Sequence, residues 1–443
     1  MLLFAFGFIW SCAYSCSGAK LVNVAVVGAG VGGCSAAYFA RKYLPSVNVT
    51  IYDPRDRVGG RVLTCNTAGV NLEVGAAFFN RFNRTLRGIV GDLRLKTTLI
   101  EERMDFAVWN GSEFIFRSNR GSLAASLRLL EKYKLSLART LLVLRKARRQ
   151  VAKLYENLTN PADMSEIFET TGLGDWHKEK FSEILIEKAV SQEFVDEIVT
   201  PITRIIYSQN ANLGGFAGIS SLIGIYSGAI YSLEEGNSIL PVHLAEASHA
   251  TINLGRKVEA IEKTHEGAYK IHAGEDVAIF DNVIVATPLD FADIIFEGIS
   301  VNDWEPQTYQ PVYRLVMRGV FDPKYFGLRD SEEPPAIVLT TESSGPITQF
   351  SIQKTSNGES LVTVSSPEPL SHNVFNNIFK DGGESVLEHC WEAAYPVFKP
   401  VTKLPPTRID KRLLYINAVE SAVSSMETSA LSALNAVRML TQE

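Results

Sequence analysis

Three glycines and one acid make the first chemical statement in this chain. Gly28, Gly30 and Gly33 stand in G-x-G-x-x-G spacing, and Asp53 follows 25 residues after Gly28. In that spacing Gly28 makes a tight turn, and the backbone of Ala29 and Gly30 can approach a pyrophosphate. Gly33 lets a helix pack close to a strand. Asp53 is placed to accept hydrogen bonds from ribose hydroxyls. The chemistry implied is binding of a dinucleotide, with phosphates held at a helix N-terminus.

The flanking elements must place these residues, and their patterns do so. "LVNVAVV" (21–27) is a short β-branched apolar run of the kind buried in a parallel sheet. "CSAAYFARKYL" carries small and apolar residues at helical spacing, and "VNVTIYD" (47–53) forms a second strand ending on the acid. Strand, glycines, helix, strand and terminal acid in that order predict a Rossmann-like unit. "RVGGRVLT" follows from Arg57. It resembles the R-x-G-G-R-x-x-[ST] pattern of the amine-oxidase and phytoene-desaturase group of flavoproteins, and so implies FAD. On that resemblance Gly59 and Gly60 let the backbone run close beneath the cofactor, where a Cβ would clash. Arg61, with Arg57 beside it, offers donors to the pyrophosphate.

Further segments continue the resemblance. In "NLEVGAAFF" (71–79), Gly75 and Ala76 are expected to pass beside the isoalloxazine ring, with Glu73 either a structural hydrogen-bond partner or a catalyst. Val258 and Ile261 match a strand that contacts adenine through its backbone, and Ala286, Thr287 and Pro288 match the turn ending a later strand. Glu420, Met426 and Glu427 lie where a closing helix would aim its N-terminus at the cofactor. The expected fold is α/β: a discontinuous Rossmann-like FAD-binding domain (20–80, 237–298 and 408–443) with an α+β substrate-binding lobe (81–236 and 299–407).

Composition bounds the alternatives. With 443 residues, 46% apolar and 21% charged, the chain is globular and too long for one small core. A net charge of −6 gives no reason to expect nucleic acid as a partner. Residues 1–19 read as a signal peptide ending in small residues, which implies the secretory pathway with a lysosomal or extracellular destination. Beyond it, no run is long and apolar enough to span a membrane. Cys34, Cys65 and Cys390 are too few for a disulfide framework, and one bridge among them stays open. Of four glycosylation triplets, Asn83, Asn110 and Asn157 are the better candidates, since Asn48 falls within the predicted nucleotide fold. No metal-ligand cluster and no Ser-His-Asp order is seen, and a lone G-x-G-x-x-G favours oxygen over a second nucleotide as electron acceptor.

One family is similar to nearly the whole chain. "TPITRIIYSQ" (200–209), the run from Phe216 to Leu222, "EGN" (235–237), "VATPL" (285–289) and "LYINAVESAVSSMETSALSALNA" (414–436) resemble prenylcysteine oxidases. That resemblance implies oxidation of the thioether of S-farnesyl- or S-geranylgeranylcysteine. The C1 carbon of the isoprenoid gives hydride to the flavin, and water attacks the resulting thiocarbenium. Cysteine and a prenyl aldehyde leave, and O2 becomes hydrogen peroxide. The apolar run 214–233, Phe216 included, is expected to line the prenyl pocket, with a packed core helix or strand pair as the alternative. Arg204, Tyr207, Tyr226 and Tyr231 are expected at the amino-acid end of the substrate. Glu235 stands where the family carries glycine, so a carboxylate is expected near the flavin. Two rivals remain: an amine- or polyamine-oxidase-like enzyme, and a flavin- and lipid-binding protein with little turnover. The helical stretch 121–156 sets Leu137, Leu141, Leu142 and Leu144 among Arg139, Arg145, Lys146, Arg148 and Arg149. It reads either as a lobe helix with a solvated basic face or as a peripheral contact for an anionic membrane. Oligomeric state is not legible.

Overall fold

The computed structural model describes residues 21–442 except 68, 101–104, 119–122, 227–228, 302–304, 356–357, 372–374 and 376. The expected leader, residues 1–19, lies outside the described residues.

The first strand, Val22–Val27, pairs in parallel with Val47–Asp53 on one side and Asn282–Val285 on the other. Thr251–Leu254 extends the sheet beyond Val47–Asp53, and Leu413–Tyr415 and then Arg408–Asp410 extend it beyond Asn282–Val285. Only the last pairing is antiparallel. The strands are near-continuous apolar runs because both faces are covered. Val24 and Val26 face the helices Val31–Tyr43, Ile239–Ser248 and Met426–Leu440. Ala25 and Val27, one residue out of phase, face the antiparallel sheet of 260–263, 269–273 and 276–280. This alternation is the period-two geometry of a strand.

The rest of the chain builds a seven-stranded sheet and a helical layer. The sheet runs in the order Glu384–Pro396, Tyr309–Gly319, Ser360–Ser366, Gln349–Lys354, Ile337–Thr340, Phe106–Trp109 and Phe114–Arg117. One face packs on an aromatic cluster that includes Trp109, Phe326 and Phe350. The helical layer contains the long helix Leu123–Asn157, kinked at Lys134, and the helices Thr200–Tyr207 and Gly215–Ile225. Run 214–233 is therefore a packed helix followed by the strand Ile230–Leu233. Among the described residues no helix is long and apolar enough to cross a membrane. All three described cysteines are free thiols.

Candidate functional site

A cavity of about 780 Å³ touches both parts of the structure, in the range of sites that enclose organic ligands. Its first wall is the nucleotide turn. Gly33 packs so tightly that an added Cβ would fall 1.8 Å from the Gly28 carbonyl oxygen, which makes glycine obligatory there. Gly30 caps the helix Val31–Tyr43 without a side chain, so the first amides of the helix face the cavity uncovered. Asp53 is buried and lines the cavity, accepting from the Ala29 amide at 2.7 Å and the Arg55 amide at 2.9 Å. Its carboxylate thus holds the turn together from the end of the second strand. Ala29 and Gly33 form the turn without lining the cavity, whereas Gly28, Gly30, Val258 and Thr287 line it.

The arginine–glycine loop packs directly on that turn. Gly59 (φ +127°) and Gly60 (φ +57°) lie against the nucleotide turn itself. The Gly59 amide donates to the Ala29 carbonyl at 2.8 Å, and a Cβ on Gly60 would meet the Gly30 Cα at 3.0 Å. Backbone contacting backbone, together with positive φ, requires these glycines; clearance beneath a cofactor is not needed to explain them. Arg57 braces the same loop through the carbonyls of Gly60 (2.8 Å) and Val62 (3.1 Å). Arg57, Gly59, Gly60 and Arg61 all line the cavity, and the Arg61 guanidinium there also pairs with the Glu420 carboxylate and donates to the Ala394 carbonyl at 3.0 Å.

Glu420 and Glu427 both carry structural hydrogen bonds, and only Glu427 lines the cavity. Glu420 is buried, is absent from the cavity wall, and also accepts from Ser424 and Asn417 at 2.8 Å each. Glu427 does reach the wall beside Met426, but its oxygens accept from the amides of Thr85 and Leu86 and from the Tyr155 hydroxyl. It caps the helix Arg84–Asp92 from outside that helix, satisfying amides that the helix cannot bond itself. The closing helix Met426–Leu440 starts at the cavity with a capping box between Ser425 and Thr428.

Gly75 and Ala76 line the cavity, and the Ala76 amide bonds the Arg61 carbonyl at 3.1 Å. Glu73 does not line it. Its carboxylate accepts from the Asn237 amide (2.7 Å) and the Thr64 hydroxyl (2.9 Å), and burial pushes its pKa up to about 7. Of the two roles left open for Glu73, these bonds describe a structural brace. Glu235 is exposed and away from the cavity wall, which overturns the expectation of a carboxylate near the flavin.

The apolar compartment of the cavity is made by Val151 and Leu154 of the long helix, Ile205, Ile206, Phe216, Ile223 and Leu431. Tyr207 also lines it and is wedged edge-on between Tyr395 and Phe398. Tyr226 and Tyr231 do not line it. Tyr226 ends the helix Gly215–Ile225 partly in solvent, and Tyr231 stacks on Phe79. Arg204 is buried outside the cavity, donating to the carbonyls of Gly345 (2.6 Å) and Ile347 (3.0 Å). Asn83 lies on the cavity wall with its side chain bonded to the Asn80 amide. Asn157 donates to Thr170, and Asn110 accepts within an exposed turn.

Sequence reasoning missed the sheet wall of the cavity: Val312, Arg314, Ser365, His389 and Trp391. The Trp391 indole donates to the Val74 carbonyl at 2.9 Å, tying this wall to the Glu73–Ala76 turn. The available signal was a charged residue inside the apolar strand "VYRLVM", where alternation alone leaves open which sheet face is covered.

A model described as prenylcysteine lyase matches residues 116–443, and one described as an NAD(P)-binding Rossmann-like domain matches residues 26–93. The chain is similar to a farnesylcysteine lyase of Arabidopsis thaliana, with 31% identity covering 94% of this chain and 88% of that protein. It is similar also to a prenylcysteine oxidase 1-like protein of Bos taurus, with 28% identity over 94% and 90% of the two chains. A triple mutant of putrescine oxidase shares the fold, with a TM-score of 0.66 at 15% identity over 96% of this chain and 99% of that one.

Proposed function

The chain belongs to the prenylcysteine lyase family, and on that premise we propose that it is an FAD-dependent oxidase cleaving S-prenylcysteines to cysteine, a prenyl aldehyde and hydrogen peroxide. The observation that carries this reading is one cavity whose wall includes both the nucleotide turn and an apolar compartment. A long isoprenoid needs the second and a dinucleotide the first. The residues present fit FAD: a Cβ at Gly30 would meet nothing closer than the Gly60 Cα at 3.8 Å, so the turn is open towards the cavity.

When bound, FAD would supply the hydride acceptor and the means of reducing O2. The chain's own residues place and shield the substrate. Gly28, Gly30, Asp53, Val258 and Thr287 would hold the nucleotide end, with Gly75 and Ala76 on the same cavity wall available to the ring. Val151, Leu154, Phe216 and Ile223 surround the prenyl chain and keep water from it. Hydride loss from a thioether needs no base in its first step, and Glu73, engaged by Asn237 and Thr64, is not assigned as one. On this reading 20–80, 237–298 and 408–443 bind cofactor, and 81–236 with 299–407 bind substrate.

The test is peroxide release by purified protein given S-farnesylcysteine, S-geranylgeranylcysteine and a polyamine side by side. Peroxide with either prenylcysteine supports the reading. Peroxide with the polyamine alone would establish the amine-oxidase rival. Flavin that is never bleached anaerobically by farnesylcysteine would establish a lipid-binding protein without turnover.

Export, with a lysosomal or extracellular destination, is proposed from the leader and the glycosylation triplets. Asn110 is the favoured glycan site, because its turn is open to solvent; a mobility shift on glycosidase treatment that Asn110→Gln abolishes checks it. Peripheral membrane contact is supported by Leu135 and Leu142, which are 64% and 61% exposed on the basic helix. Flotation with phosphatidylserine vesicles, absent with neutral ones, checks that contact.

A further inference from the structure

Among the described residues five cationic side chains, of Arg or Lys, line the cavity, and four are engaged. Arg55 and Arg57 bond the Gly60 carbonyl, Arg61 pairs with Glu420, and Lys257 pairs with Asp293. Arg314 is the exception among the described residues: no hydrogen bond or ion pair to its guanidinium is found, and its Nε is fully covered without a partner. Burial lowers its pKa, and the groups acting on it electrostatically are the Tyr395 phenol and then the Glu73 carboxylate, which is already held by Asn237 and Thr64.

Arg314 is not an isolated case. Antiparallel register sets it directly opposite Ser365 on one neighbouring strand and His389 on the other. All three line the cavity, so their side chains form one row across three strands. His389 also has a covered nitrogen, Nε2, without a partner. Burial, followed by the charges of Arg57 and Arg55, lowers the His389 pKa. Arg314 is half-buried with its Nε wholly covered, and a guanidinium on a cavity wall with no hydrogen-bonded anion is stabilised when an anion binds there.

We propose that Arg314, flanked by Ser365 and His389, binds the α-carboxylate of the cysteine end of the substrate and thereby sets which way the prenylcysteine lies in the cavity. This rests on the function proposed above. A planar guanidinium matches a carboxylate with two parallel hydrogen bonds. With that end fixed at the sheet wall, the isoprenoid extends to the apolar compartment of Val151, Leu154 and Phe216. An amine lacking a carboxylate gains nothing from Arg314.

The experiment compares S-farnesylcysteine with S-farnesylcysteamine, which lacks only the carboxylate, on the flavin-loaded full chain. The readout is the concentration giving half-maximal anaerobic flavin reduction. Wild type should favour the carboxylated compound by roughly 10- to 150-fold, the range for one lost charge-assisted hydrogen bond. In Arg314→Met that preference should collapse to near one, and Arg314→Lys should keep part of it. A wild type without preference overturns the proposal, whether or not the variants fold. So does an Arg314→Met protein that keeps the preference, or one that loses flavin at wild-type folded content, which would make Arg314 a cofactor anchor. A wild type reduced by neither compound refutes the functional reading instead. Carboxylate recognition is then read from the shift of the flavin absorption band on titration with each compound, with the same expected ratio.

Discussion

Replacing Glu73 by glutamine should make the protein more stable above neutral pH and no different in acid. The carboxyl is buried and its pKa rises from an ordinary 4.5 to about 7, because desolvation outweighs the bonds from Asn237 and Thr64 and the charge of Arg314. Below pH 4.5 the group is protonated both folded and unfolded, and contributes nothing to the difference. Between pH 4.5 and 7 the unfolded chain releases its proton while the folded chain retains it, so stability falls as pH rises. Above pH 7 the penalty is complete, at most about 3 kcal/mol at ~1.4 kcal/mol per pH unit. Glutamine keeps an acceptor for the Asn237 amide and puts an amide donor beside the Thr64 hydroxyl, so it removes the charge and little else. Urea melts of both proteins from pH 4 to pH 8.5 measure the effect. The curves should meet at acid pH and separate by about 1–3 kcal/mol at pH 8. Equal stability at pH 8, or a glutamine variant less stable there than in acid relative to wild type, would refute the account of Glu73 as a buried brace.

Two other substitutions probe the cofactor side. Gly33→Ala puts a Cβ 1.8 Å from the Gly28 carbonyl oxygen and should abolish flavin retention, read from the flavin-to-protein absorbance ratio after dialysis; a fully yellow variant contradicts the turn geometry. Arg61→Met leaves Glu420 buried and unpaired and should cost about 3–5 kcal/mol in thermal or urea stability, while adding Glu420→Gln should restore most of it. Failure of the second change to rescue would refute the unpaired Glu420 charge as the source of the loss.

The resemblance carried by residues 200–240 and 414–436 agrees with the prenylcysteine lyase match over 116–443, and the α/β class was legible from the first 53 residues. Both rest on local order: glycines at fixed spacing admit few backbone paths, and continuous apolar strands need cover on both faces. Roles that depend on a side chain's partner were not legible in the same way. Tyr226 and Tyr231 sit in the expected run, yet helix phase and strand pairing turn them away from the cavity.

The sequence by itself determined the turn, the sheet it belongs to, the dinucleotide chemistry and the family. Only the tertiary structure decided what the charged residues face. Arg61 meets a carbonyl 333 residues away, Glu427 caps a helix 341 residues away, and Arg314 is left open in the wall between two paired strands. Backbone conformation is set by neighbours a few residues apart, so spacing reveals it. A charge finds its partner through packing of distant segments, and nothing in the local pattern around Arg61 or Arg314 distinguishes the arginine that is paired from the one left for a ligand.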